Sequence, residues 1–282
     1  ETNLILEDIV SQEENAVTLV NPLSFERMDT VYLPFEGRYI AEAYPQQLVE
    51  TLEGENCLAI AGIKVDGYSS LVLHMTMQMP ETSSAFREIE DGLETPFYEV
   101  HFNKKGFIES LTDKRNGRQI RGKGYALNTF LLAEDVPMDW DNWDIDADCE
   151  WKLQDTSQLL SRTCVADGAV EYRIRSTYQL TKKSTLTQDM IFYAHRPEIV
   201  FETKMNWQDN HRLLKTVFDT NIHTDFTSQE IQFGYIRRNT NRNTSAEKAK
   251  FEVPNHKYTD LSESRYGVAL LNDCKYGISV EG

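Results

Sequence analysis

The stretch VEYRIRSTYQL, Val170–Leu180, decides the fold class, because apolar and polar residues alternate along almost its whole length. The apolar side chains stand at even positions, while Glu171, Arg173 and Arg175 stand at odd positions between them. A period of two residues is typical of a β-strand whose two faces meet different surroundings. We therefore expect a long strand with an apolar face on a core and these charged residues on the opposite face.

Similar β-like runs occur on both sides of this stretch. No run shows the sustained 3.6-residue period of an amphipathic helix, so βαβ units are not indicated and an antiparallel sandwich is favoured. In the first run, an alternating pattern from Leu71 to Met79 predicts a half-buried strand with His74 on its outer face. The runs are SSLVLHMTMQM (69–79), TLTQDMIFYAH (185–195), EIVFETKMNW (198–207) and LLKTVFDTNI (213–222).

The distribution of Pro, Gly and Asp predicts two β domains. Closely spaced turn residues divide residues 15–80 into strands of the length found in small sandwiches, and residues 81–92 have the composition of a linker. We expect a small β-sandwich at 15–80 and a large antiparallel β-supersandwich at 93–282, preceded by an acidic lead-in at 1–14. Because residue 1 is Glu and the end follows a strand-like run directly, we interpret the chain as a fragment truncated at its C-terminus.

Charge and composition limit the classes of partner. The 282 residues carry 45 acidic against 29 basic side chains, a formal charge of −16, and 11% of them are aromatic. The aromatic content indicates a folded protein, and the negative charge repels phosphate backbones and anionic membranes. We expect no nucleic acid and no membrane as partner, and a neutral ligand fits better.

A second stretch, EDVPMDWDNWDIDAD at 134–148, is the candidate binding loop. It places seven acidic side chains and two tryptophans in fifteen residues without Lys or Arg. Indole faces beside carboxylates suit a sugar, whose C–H face stacks on the ring while its hydroxyls donate to the acids. Two alternatives stay open at this point. The tryptophans could fill a core, or Asp144, Asp146 and Asp148 could open a calcium loop, although that motif requires Gly where Cys149 stands.

No self-sufficient catalytic motif is present in the sequence. An independent glycosidase dyad drawn from Asp139, Asp141 and Asp144 is an alternative, but it would need a raised pKa on one member and an enclosing cleft. The six histidines are dispersed and are expected to be structural. A polar segment, QEIQFGYIRRNTNRNTS at 229–245, offers arginine side chains that bind carboxylates and hydroxyl pairs, or it is a solvated basic loop.

Five stretches together resemble, in this order, the non-catalytic β region of glycoside hydrolase family 38 α-mannosidases, most closely their cytosolic and bacterial branch. The resemblance covers nearly the whole chain. The stretches are NPLSFERMDTVYLP (21–34), DVPMDWDNWDID (135–146), NWQDNHRLLK (206–215), EIQFGYIRRNTNRNTS (230–245) and DLSESRYGVALLNDCKYGISVEG (260–282).

This resemblance implies a fold and a parent enzyme. The large domain would be a supersandwich of the galactose-mutarotase-like type. The parent would be a retaining, zinc-dependent α-mannosidase of the cytoplasm, in which an N-terminal catalytic domain holds the nucleophile and the zinc ligands and a helical bundle follows it. Those two domains and a mannose-containing oligosaccharide are the implied partners, and a homo-oligomer stays open. We expect no catalytic residue and no metal ligand in this chain, and no activity from it alone.

The resemblance also implies substrate-side contacts, since loops of the family's β region line the catalytic cleft. By position, these contacts would come from Asp139, Trp140, Asp141, Trp143 and Asp144, with Arg237 and Arg238 as secondary contacts. His211 and Lys215 match the family pattern as well, and their strand context favours a structural role. Two rival functions remain, a free-standing carbohydrate-binding module and an aldose-epimerase-type enzyme.

Overall fold

The computed structural model describes residues 13–141 and 143–282, and it is built almost entirely of β-strands. Helix within these residues is confined to two single turns, α1 (Cys149–Lys152) and α2 (Ser245–Lys248). The predicted all-β class with antiparallel sheets is confirmed. Residues 1–12 of the predicted acidic lead-in lie outside the described residues. No helix in the described part of the chain has the length and apolar character to span a bilayer.

The strands of the first hundred residues vary from two to ten residues in length, and the four strands between residues 158 and 206 have eight to ten residues each. In chain order they are β1 (Ala16–Asn21), β2 (Arg27–Pro34), β3 (Tyr39–Ile40), β4 (Gln46–Glu50), β5 (Asn56–Val65), β6 (Ser69–Thr76), β7 (Arg87–Ile89), β8 (Gly92–Glu94), β9 (Tyr98–Phe102), β10 (Ile108–Asp113), β11 (Arg118–Gln119), β12 (Thr129–Glu134), β13 (Gln158–Asp167), β14 (Glu171–Gln179), β15 (Thr185–Tyr193), β16 (Ile199–Asn206), β17 (Arg212–Val217), β18 (Phe226–Ile231), β19 (Gly234–Asn239), β20 (Val253–Pro254), β21 (Tyr258–Ser262), β22 (Gly267–Leu271) and β23 (Gly277–Ile278).

The strands fall into two compact units whose members are not contiguous in sequence. The first unit contains the described residues up to His101 together with Lys114–Asn116 and Gln158–Gln208. The second contains Phe102–Asp113, Gly117–Ser157 and Asp209–Gly282. The domain boundary expected at residues 81–92 stays a prediction.

The N-terminal part of the first unit consists of two three-stranded sheets, β1-β6-β3 and β2-β5-β4. Their apolar side chains form one core, in which Leu58, Ile60 and Ile63 of β5 meet Leu73 of β6. Burial of such aliphatic side chains stabilises a fold by about 1.5–3 kcal/mol each. This shared core joins the two sheets into a sandwich.

Strand β6 confirms only part of its predicted pattern. Leu73 is buried, its neighbour His74 is exposed, and Met75 is packed against the core. Met77 and Met79 were expected on the same apolar face, and that expectation was wrong, since both are exposed. The reason is that the strand ends at Thr76, so the alternation of faces stops before the methionines.

The first unit also contains the sheet β13-β14-β15-β16, in which each strand pairs antiparallel with the next. Strand β14 is the stretch that the sequence singled out, and its even-numbered Tyr172, Ile174 and Tyr178 are buried as expected. The opposite, charged face is buried too: Glu171 is 0% exposed and Arg173 is 1% exposed. A strand buried on both faces needs partners for its charges.

A network of ion pairs supplies those partners. Arg173 donates from Nε to Glu171 at 2.7 Å and from Nη1 to Asp189 at 3.0 Å and Glu202 at 2.8 Å. Although burial disfavours its charged form, the carboxylates raise the pKa of Arg173 above its ordinary value. Tyr32 of β2 donates its hydroxyl to Glu171, and so this network joins the N-terminal strands to β14 within the first unit.

The second unit contains two main sheets. β12 pairs with β17, and a four-stranded sheet has the order β19-β18-β21-β22. Short pairs, β10 with β11 and β20 with β23, complete it. A tight turn connects β10 to β11: Asp113 pairs with Arg118, and Gly117 has a φ of +70° that favours glycine. This unit carries the candidate site.

Candidate functional site

The acidic loop, residues 135–148, is fixed at both ends to strand β12. At its start, β12 pairs with β17 through Glu134 opposite Arg212, and the N–H of Asp135 donates to the carbonyl of His211 at 2.9 Å. At its end, the chain passes through α1 and returns to β12, where Gln154 and Leu132 exchange two backbone hydrogen bonds of 2.9 Å. The loop therefore projects from a rigid strand pair.

A tight turn at the tip of this loop positions the aromatic side chains. Trp140 has a φ of +60°, a conformation that costs free energy in a residue with a bulky side chain. Its carbonyl accepts hydrogen bonds from the N–H of Trp143 at 2.7 Å and of Asp144 at 3.0 Å. These two bonds hold the left-handed conformation and bring both indoles to one open depression.

Both tryptophans lie at the surface. Trp140 is 75% exposed and Trp143 is 90% exposed, and together they line the depression. The alternative that they fill an adjacent core is therefore wrong. Exposed indoles on a loop of fixed geometry give a ligand flat apolar faces without a large rearrangement.

The carboxylates of the loop each contact a different partner, and they do not converge on one point. Asp144 accepts from the N–H of Ile145 at 2.9 Å, and Asp146 accepts from the N–H of Met138 at 2.9 Å. Asp148 pairs with Lys152 at 2.7 Å. Between residues 13 and 282, apart from residue 142, no group of three or more His, Cys, Asp or Glu side chains is placed to hold a metal ion. The calcium-loop alternative is not supported, and the described side chains do not fit zinc.

His211 lies beside the acidic loop, although the sequence predicted only a structural role for it. Its Nδ1 lies 3.9 Å from Oδ1 of Asp141, and its side chain is half exposed. Burial, followed by the charge of Asp141, raises the pKa of the neighbouring Asp135. The resemblance of residues 206–215 to the family was the feature of the sequence that pointed to His211.

Arg237 and Arg238, the two arginines predicted as secondary substrate contacts, lie in different surroundings. Arg237 is exposed on β19, with its guanidinium 4.7 Å from the ring centre of Phe226. Arg238 is partly buried and donates to the side-chain carbonyl of Gln229. No contact among the described residues joins either arginine to the acidic loop. Arg242 instead contacts helix α1, which follows the loop, through two hydrogen bonds of 2.7 and 2.8 Å to Glu150.

The geometry suits binding more than bond cleavage. The depression is lined by Trp140 and Trp143, each followed in sequence by an aspartate, Asp141 or Asp144. The surface thus offers indole faces for stacking and carboxylates on the adjacent residues. The depression is open to solvent on one side, whereas a glycosidase dyad needs carboxyl groups on both sides of an enclosed bond. The independent dyad is therefore not supported by the shape of this surface.

Comparisons with known proteins give one consistent family. The profile of the glycosyl hydrolases family 38 C-terminal domain matches residues 93–282. Alpha-mannosidase 2C1 of Homo sapiens is 30% identical over 273 residues, which cover 94% of this chain and 24% of that protein. Alpha-mannosidase G of Dictyostelium discoideum is 35% identical over 197 residues, covering 67% of the chain and 18% of that protein. The chain thus spans about a quarter or less of these curated relatives.

The fold has a solved counterpart. The crystal structure of an alpha-mannosidase from Enterococcus faecalis V583 superposes with a TM-score of 0.70 over 95% of this chain and 38% of that one. The sequence identity is 13%, so this likeness concerns the arrangement of strands alone.

Proposed function

The chain belongs to glycosyl hydrolase family 38, through that family's C-terminal domain, and on this premise we propose that it is the non-catalytic β region of an α-mannosidase. Its role is to present the acidic loop to the mannoside that the parent's catalytic domain cleaves. Trp140 and Trp143 stack on the sugar, and Asp139, Asp141 and Asp144 accept its hydroxyls.

The observation that carries this proposal is the exposed pair of indoles on a strained turn of a loop fixed at both ends. Solvent-facing tryptophans and positive φ values in non-glycine residues both cost stability. Their joint presence at one tip is accounted for by a ligand that contacts it. The negative charge of the chain, −16, is compatible with a neutral sugar and opposes an anionic one.

The reaction itself is assigned to parts of the parent that this chain does not contain. We place the nucleophile and the zinc ion of a retaining mannosidase in an N-terminal catalytic domain, joined to this region through a helical bundle, in a cytoplasmic enzyme. When bound, zinc would supply electrostatic stabilisation of the sugar there. The present chain contributes orientation and stacking, and we expect it to be inactive alone.

A titration followed by tryptophan fluorescence tests the proposal against the carbohydrate-binding module. Methyl α-mannoside is added to the 282-residue chain and to the full-length parent, each with and without Trp143→Ala. We expect a change only in the full-length protein, and we expect Trp143→Ala to reduce it. Binding of millimolar affinity or tighter by the chain alone would favour the module. A response that does not depend on Trp143 in either protein would contradict the site.

A further inference from the structure

A small pocket in the second unit lies apart from the acidic loop and has a different character. It is bordered by β18, β19, the segment around α2 and Val280. Its cavity volume is about 20 Å³, somewhat more than the roughly 10–15 Å³ that one water needs. The polar and charged side chains around it are Thr227, Gln229, Arg238, Asn239, Asn241, Arg242, Glu247 and Lys250.

The floor of this pocket contains an unpartnered polar group. Thr227 is 1% exposed, and its hydroxyl Oγ1 is buried without a hydrogen-bond partner. A buried hydroxyl left unpaired costs about 1–3 kcal/mol. Gln229, two residues along the same strand, is equally buried and already accepts from Arg238. The Thr227 hydroxyl therefore lacks the hydrogen-bond partner that a ligand oxygen entering the cavity would supply.

The charge balance around the pocket is incomplete. Arg242 is committed to Glu150 by two hydrogen bonds, and Lys250 pairs with Glu247 at 3.5 Å. Arg238 has no ion-pair partner among the described residues, and its described hydrogen-bond partner is the neutral amide of Gln229. Burial lowers the pKa of the Arg238 guanidinium, with no carboxylate to offset it. A partly buried cation without a counter-charge is unfavourable unless something else neutralises it.

We propose that this pocket binds one carboxylate group through the guanidinium of Arg238 and the hydroxyl of Thr227. An arginine fork matches the two oxygens of a carboxylate and forms stronger hydrogen bonds with it than with a neutral acceptor. The cavity takes in little more than one water-sized atom, so one oxygen of a carboxylate can enter it and a pyranose ring cannot. The group comes either from a small free anion or from an Asp or Glu side chain in another part of the parent.

This inference does not depend on the proposed sugar-binding role, because no residue of the acidic loop takes part in it. Arg237 provides a matched control, since it is the neighbouring arginine on the same strand and is exposed. Replacing Arg237 changes the net charge by the same amount as replacing Arg238 and leaves the pocket intact.

The experiment measures the melting temperature of the 282-residue chain in sodium formate and in sodium sulfate at equal ionic strength. At 100 mM formate we expect an increase of about 2–4 °C for the wild-type chain and for Arg237→Gln, which corresponds to binding with a Kd of about 20 mM. We expect a smaller increase for Thr227→Val and none for Arg238→Gln. No formate-specific increase in the wild-type chain, or an equal increase in Arg238→Gln, would overturn the proposal.

The same measurement on the full-length parent separates the two sources of the carboxylate. If the parent no longer responds to formate and loses stability on Arg238→Gln, a carboxylate of its own fills the pocket. If it responds as the isolated chain does, the natural ligand is a free anion. Both results support the pocket, whereas a parent that neither responds nor loses stability on Arg238→Gln contradicts it.

Discussion

Replacing Arg173 by Met is expected to destabilise the first unit strongly, because that guanidinium neutralises two fully buried carboxylates. Glu171 and Asp189 are both 0% exposed. After the substitution Asp189 keeps the two hydrogen bonds from Arg175, at 2.8 and 3.0 Å. Glu171 keeps only neutral donors such as Tyr32, so it becomes the uncompensated charge.

The loss of stability in Arg173→Met is estimated from the charge that remains on Glu171. Breaking a buried pair from one side costs about 3–5 kcal/mol, and the lower end applies here because Asp189 stays paired. Glu202 adds little, since its side chain is 43% exposed and exposed pairs contribute about 0–1 kcal/mol. About 3 kcal/mol corresponds to a decrease of about 6–12 °C in melting temperature.

Urea titration and thermal melting of the chain measure this cost. Lys204→Met is the matched control, because its pair with Glu53 is exposed on both sides and should contribute at most about 1 kcal/mol. Adding Glu171→Gln to Arg173→Met removes the orphaned charge and should restore part of the stability. If Arg173→Met costs no more than Lys204→Met, the network does not stabilise the unit.

Two further predictions concern the second unit. The hydrogen bond from Arg118 lowers the pKa of Glu263 to about 2, so its contribution to stability is present above the ordinary carboxyl pKa of 4.5 and is lost as the pH falls toward about 2. Acid titration of Glu263→Gln should therefore show a shallower loss of stability in that window, and an unchanged curve would refute the coupling. Arg242→Gln removes the bidentate contact to Glu150 and should accelerate amide hydrogen exchange in α1, whereas Lys250→Gln, which removes a longer pair, should not.

The strands were predictable from sequence because their alternation is local. Strand β14 was recognised from Val170–Leu180 alone, and the all-β class followed from the absence of helical periodicity. The burial of its charged face was not predictable, because the groups that satisfy Glu171 and Arg175, namely Tyr32 and Glu50, are more than a hundred residues away in sequence. Charged residues at every second position of a long strand, with Asp189 in the next strand, were the only local indication.

The acidic loop was likewise predictable only where neighbouring residues in the sequence determine its properties. Its composition left open whether the tryptophans face a ligand or fill a core, and only the structure, in which Trp140 and Trp143 are exposed, decides between the two. The left-handed conformation of Trp140 could not be expected, since this region disfavours bulky residues. The approach of His211 to Asp141 depends on the pairing of β12 with β17, which no local pattern specifies.

The most direct test of the central claim is the kcat/KM of the full-length parent on an α-mannoside after Trp143→Ala. The proposed contact predicts a fall of about tenfold to a hundredfold, equivalent to about 1.4–2.7 kcal/mol of transition-state stabilisation. The melting temperature should be nearly unchanged, because the side chain is 90% exposed and surface substitutions usually change stability by about 0.5 kcal/mol or less. Trp151→Ala, which removes an indole 87% exposed outside the loop, should leave kcat/KM unaltered. An unchanged kcat/KM in Trp143→Ala, or an equal fall in Trp151→Ala, would contradict the account.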